Sequence, residues 1–216
     1  MRRTDATVVA GCGLQPSLEE RTRVAAIDVP GFVADLKDHA VEHGFHVHDE
    51  RHFVETYSLR QAWEVDLHPE EACNGPIDLH LSLEVDPRVL LAFEDEVEKL
   101  EDPEDPAPDG YLFQLIFTWT LPPLPTPPNL LVLATELAGI GGVELPIEVS
   151  AIDTIPAVTT DEAAERTLSL TAKVDVPLGK ILQGEEMLCD VLDRCRSASL
   201  FLLEQSPVWG IGDDEP

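Results

Sequence analysis

HAVEHGFHVHDERH, residues 39–52, holds five of the seven histidines in the chain, and His68 and His80 are the other two. Neutral imidazole is a good ligand for zinc and neighbouring first-row metals, so the tract raises the question of a metal site. His39 and His43 are spaced i, i+4 and share a face of a helix. His46 and His48 are spaced i, i+2 and share a face of a strand. The helical stripe Phe32, Leu36, His39, His43 turns toward whatever the helix packs on, and in GFHVHD it is Phe45 and Val47 that should meet that same layer. His46 and His48 then point to the opposite side of the sheet, about 10 Å away on ordinary layer spacing, so one ion cannot bridge both pairs. The candidate metal site left by this reasoning is His46, His48 and His80 on the uncovered sheet face. Glu64, Asp66 or Glu84 would stand nearby as oxygen ligands or supporting groups, and zinc is the ion such a set would take.

Other chemistry has weaker signals. HVHDERH departs from the HxHxDH signature of the metallo-β-lactamase fold at Glu50 and Arg51, and no histidine follows His80 to supply that fold's later ligands. HExxH, GxSxG and Walker GK[ST] motifs are absent, and GIGGVE, residues 139–144, lacks dinucleotide-binding spacing. Cys73 follows His68 by five residues in a polar loop, a pattern compatible with an activated thiol, but a single loop cysteine is usually inert. Paired carboxylates carry no information in a chain with 42 acidic residues.

The elements that must position these side chains are legible from periodicity. IDLHLSLEV, residues 77–85, alternates apolar and polar without an error and reads as a half-buried strand. Residues 56–67, 143–151 and 167–176 alternate likewise, the first through Tyr57, Leu59, Trp63, Val65 and Leu67. YLFQLIFTWTL, residues 111–121, is apolar on nearly both faces and should be central. Residues 6–11 read as a further strand, too short for a signal-peptide core. Helices are expected from about residue 30 to Gly44, from 88 to 100, from 129 to 140, and as one long helix over 180–204.

Two stretches look duplicated. Pro30, an apolar helix and Gly44-Phe45 match Pro128, an apolar helix and Gly142-Val143, fourteen residues apart in both cases (44 − 30 and 142 − 128). LSLEVDP at 81–87 matches LTAKVDVP at 170–177. The expected fold is therefore α+β: an antiparallel sheet with helices on one face, in two related halves, 1–108 and 109–216, forming one globule. The acidic loop 101–109 is the seam, and PPLPTPP, residues 122–128, is a stiff connector.

A formal charge of −28, from 42 acidic and 14 basic residues, excludes binding to nucleic acid or to anionic membrane through a basic patch. It fits a salt-tolerant proteome or a docking surface for a basic partner. Four scattered cysteines without a CxxC pair, and no apolar run of membrane-spanning length, point to a cytoplasmic protein. In function the sequence reads as a non-catalytic protein-binding, chaperone-like or adaptor protein. Leu200, Phe201, Leu203 and Trp209 supply apolar surface for a protein partner or for self-association. The rival readings are a metal-dependent enzyme at the histidines of the open face and a structural subunit of a larger particle.

Overall fold

The computed structural model describes residues 27–73, 75–102, 105–157, 165–185 and 188–211. The strand expected at 6–11, together with Cys12, lies outside them. Along the chain the elements are α1 (Val29–Glu42), β1 (Phe45–Val54), β2 (Gln61–Pro69), a 3-10 turn (Glu70–Ala72), β3 (Asp78–Val85), α2 (Pro87–Val97), β4 (Leu112–Thr120), α3 (Leu130–Gly141), β5 (Ile147–Thr154), β6 (Glu165–Pro177), α4 (Leu178–Gln183) and α5 (Cys189–Gln205). The six strands form one sheet in the order β1-β2-β3-β4-β6-β5, antiparallel at every step. β4 belongs to the second half of the sequence and pairs with β3 from the first, so the two halves share a continuous sheet.

Alternation along each strand becomes rows across the sheet. Trp63, Leu83 and Leu115 align in one row; Val65, Leu81, Phe117 and Ala172 in a second; Leu67, Leu79, Trp119 and Leu170 in a third, and all of them are buried. Between them run rows such as Glu64, Ser82, Ile116, Lys173 and Asp66, His80, Thr118, Thr171, which stay partly or fully exposed. Period-two sequence thus sorts the sheet into a buried face and a polar face. The buried rows share one hydrophobic core with Val33 and Leu36 of α1, Leu133 and Leu137 of α3, and Val191, Leu192, Cys195, Ala198 and Leu202 of α5.

Local signals set the helix ends. Asp28, Asp86 and Asn129 cap α1, α2 and α3 by accepting from backbone N–H groups of the first turn, and proline stands in the first turn of α1 and α2. Three boundaries differ from the periodic reading. Tyr57 and Leu59 sit in the exposed β1–β2 turn, where Leu59 takes a positive φ, because a hairpin needs residues to reverse direction even when they continue an alternating pattern. β5 starts at Ile147, after a loop that buries Leu145. The helix expected over 180–204 is two, since Gly184 at φ +68° closes α4 in the left-handed conformation.

One buried polar contact ties α5 to the sheet. The Trp119 indole N–H donates to Ser199 Oγ at 2.9 Å, and that hydroxyl donates to the Cys195 carbonyl at 2.9 Å. Ser199→Ala would strand a buried indole donor, which costs about 1–3 kcal/mol. We expect urea unfolding to register a loss of that size, with α-helical circular dichroism unchanged.

Candidate functional site

β1 carries the first two histidines of interest, and its pairing with β2 decides where they point. His46 lies opposite His68, and Val47 opposite Leu67; the register then slips, so that Asp49 rather than His48 faces Asp66. His48 is the extra residue of a β-bulge, a device that bends the strand and re-aims a side chain. Its ring packs edge-on against His68, with centroids 4.4 Å apart, and stands 6.3 Å from the ring of His46. Both His46 and His48 are exposed.

Beyond β2, Pro69 ends the strand and the 3-10 turn folds the chain back, with Glu70 N–H bonded to the Gly44 carbonyl and Gly75 N–H to that of Ala72. This reversal delivers Cys73 to the start of β1. Cys73 Sγ lies 2.8 Å from His46 Nδ1. The donor atoms of His46, His48 and Cys73 all fall within 4.8 Å of one another. Of the expected set His46, His48 and His80, the structure brings the first two together and supplies Cys73 as their companion.

His80 is engaged elsewhere. Its Nδ1 donates to Asp66 Oδ1 at 2.6 Å, and Arg51 donates to both oxygens of the same carboxylate, at 3.0 and 3.1 Å. Arg51 also donates to Glu64 at 3.1 Å and to Asp49 at 3.0 Å, making a charged network across β1, β2 and β3 on the polar face. Burial alone would push the Asp66 carboxyl up, but hydrogen bonds from His80 and Arg51 and their charges outweigh it and hold it below the ordinary value. Glu64 is thus bonded to Arg51, and Asp66 to both Arg51 and His80. His68 is pulled the other way: burial holds its pKa below the ordinary imidazole value, opposed by Asp78, whose Oδ1 is 3.2 Å from His68 Nε2. His68 Nδ1 is buried and has no hydrogen-bond partner among the described residues.

The helical histidines lie outside this set. His39 Nδ1 is 2.8 Å from the Asp35 carbonyl, and His43 Nδ1 is 2.7 Å from Asp193 on α5. His52 stacks on Trp63, with centroids 4.0 Å apart. Cys195 is fully buried, and burial pushes its thiol up, which leaves it unreactive. At the far end of the sheet a cleft of about 490 Å³ is lined by Phe53, Ala62, Val89, Leu112 and Ile116, with Glu55, Glu84 and the Arg60–Asp86 ion pair at its rim.

The C-terminal apolar residues have intramolecular contacts. Trp209 is 5% exposed within the core, Phe201 and Leu203 pack partly buried against it, and Leu200 is half-buried. Large exposed apolar side chains stand on α3 and around β5, at Leu131 (77%), Val132, Val143 (88%), Ile152 (64%) and Ile155, and also at the end of β1 and its turn, at Phe53, Val54, Tyr57 and Leu59, with others at Val41, Leu91, Leu112 and Val208. No segment signal in the sequence separated those on α3 from core residues, because α3 is apolar on nearly every side.

No family model, curated protein or solved structure matches this chain. Among the described residues no helix is long and apolar enough to cross a membrane.

A carboxylate held low by its partners contributes stability in full above its ordinary value, near 3.8, and loses it as pH falls through the depressed value. We expect Asp66→Asn to be less stable than wild type at neutral pH by about 1 kcal/mol, the scale of a partly solvated charged hydrogen bond. The gap should close on acidification below about pH 4. Urea unfolding of both proteins at neutral and at acidic pH measures it, and a gap independent of pH would contradict the assignment.

Proposed function

We propose that the protein is a non-catalytic binding protein that works by self-association, two copies meeting through the β5 edge and the outer side of α3. One observation carries this reading: among the described residues β5 has β6 as its one strand neighbour, and its outer edge lies beside an almost uncharged helix. The two ends of the sheet differ in this respect. β1 is interrupted by the bulge at His48 and carries Asp49, Glu50 and Arg51, with Lys37 of α1 paired to Glu50, and such features discourage strand addition. β5 pairs with β6 in unbroken register over all eight of its residues and has no bulge or internal proline. Of its two charges, Asp153 is neutralised by a bidentate pair with Arg166, at 2.6 and 2.8 Å.

Charge selects the occupant. A basic partner would be drawn to the acidic surface that covers most of this chain. From Leu130 to Val143, by contrast, Glu136 is the one charged residue, while Leu131, Val132 and Val143 are exposed. Two copies each carrying a formal charge of −28 can approach with least repulsion where charge is missing. Antiparallel β5–β5 pairing about a two-fold axis would extend the sheet and bring α3 beside its symmetry mate.

The wider architecture belongs to the same proposal. We read the helices as one layer on the buried face, supported by the single core they share with the buried rows. An internal duplication is best supported as a helix followed by an edge-forming hairpin, α1-β1-β2 and α3-β5-β6. The sequence match of 81–87 with 170–177 would instead equate β1 and β3, which run parallel, with β5 and β6, which run antiparallel.

Light scattering coupled to size exclusion, at high salt to screen the net charge, tests the self-association. Wild type is expected to be dimeric, and Leu131→Glu combined with Ile152→Lys to weaken the dimer at least tenfold, about 1.4 kcal/mol or more, without loss of fold. A monomer at every accessible concentration, or a dimer indifferent to both substitutions, would refute it.

A further inference from the structure

We propose that His46, His48 and Cys73 form a binding site for a thiophilic divalent metal ion of the zinc type, with a fourth coordination position left open to solvent. This goes beyond self-association and rests on different residues at the opposite edge of the sheet. Three donors from two separate segments converge there: two imidazoles from the bulged start of β1 and a thiol from the turn after β2, with donor atoms within 4.8 Å of one another. Donors that share a tetrahedral ion stand about 3.3–3.6 Å apart, so side-chain rotations that widen the 2.8 Å His46–Cys73 contact and draw in the wider pairs would complete the set.

Two imidazoles and a thiolate select a borderline or soft cation over magnesium or calcium, which require oxygen. A simple nucleophilic dyad is the competing use of the close His46–Cys73 contact, since imidazole can activate a thiol. His48 argues for the metal: a dyad has no need of a second imidazole turned toward the sulfur, and a bulge in an edge strand is what turns it. The setting also suits a cation. The partly buried ring of His68 packs against His48 and supports it, and the strongly acidic chain raises the local concentration of divalent ions. His80 is left out of the set because its ring nitrogens are not among the donor atoms that cluster within 4.8 Å at His46, His48 and Cys73.

Binding requires loss of the thiol proton to solvent as the metal–sulfur bond forms, so affinity rises with pH. The test uses the full chain, reduced and freed of metal, titrated with cobalt(II) as a spectroscopic substitute for zinc. One equivalent should bind, with thiolate-to-cobalt charge transfer in the near ultraviolet and the strong visible bands of tetrahedral cobalt. Zinc should displace it. Cys73→Ser should abolish the charge-transfer band, His46→Ala and His48→Ala should each weaken binding at least tenfold, and His80→Ala should leave it unchanged. All four positions are at least partly exposed, and circular dichroism checks that each variant folds. Absence of the charge-transfer band, its survival in Cys73→Ser, or an equal loss in His80→Ala would each overturn the site. Rapid alkylation of Cys73 in wild type, lost in His46→Ala and unaffected by zinc, would assign the pair to thiol activation instead.

Discussion

The physical constraint on which the rest of this structure depends is the separation of apolar from polar side chains across one antiparallel sheet. Leu81 and Phe117, or Leu79 and Trp119, lie opposite each other in the register and both are buried. A slip of one residue between β3 and β4 would place Leu81 opposite a polar-face neighbour and expose a whole row. Because burial of these rows supplies the main favourable energy, register is fixed over the central strands, and everything attached to them inherits a definite position. The Arg51–Asp66–His80 network is one such consequence. Its members come from three strands and meet only because those strands are held in phase.

Irregularity becomes meaningful against that fixed frame. The sheet tolerates a bulge at His48 because β1 is an edge strand with one neighbour. The slip leaves His48 without a partner on β2, and it shifts the later part of β1 so that Arg51 rather than Glu50 reaches the polar face opposite Glu64. In a central strand the same insertion would break pairing on both sides. His46, His48 and Cys73 therefore come together at the first edge of the sheet, where the register slips. The second edge lacks such a feature, and its contrast is one of exposed backbone and apolar surface.

The packing stripe of α1 is Val29, Val33, Leu36 and Ala40 rather than the expected Phe32, Leu36, His39 and His43. His39 and His43 remain with the helices while His46 and His48 stand on strand β1, and no shared set of donors joins the two pairs among the described residues. The company of His46 depends on the turn at Glu70–Ala72. Cys73 is 27 residues from His46, and only the hairpin pairing of β1 with β2 brings the end of one to the start of the other. His80 was an equally good candidate on periodicity, since it occupies the right face; its row, however, is that of Asp66, and a carboxylate within reach of an imidazole takes it.

Sequence by itself determined that alternating segments around 61–67, 77–85, 147–151 and 167–176 form strands, which residues of each turn to the core, roughly where the helices begin, and a formal charge of −28. These are local or additive properties: side-chain period, cap chemistry and summed charge need no knowledge of distant contacts. Tertiary structure alone decided the strand order, the break of the C-terminal helix at Gly184, the burial of Trp209 and the company kept by His46. Each of those depends on which segments lie side by side, and pairing across tens of residues is chosen by the energy of the whole core, which no short window of sequence contains.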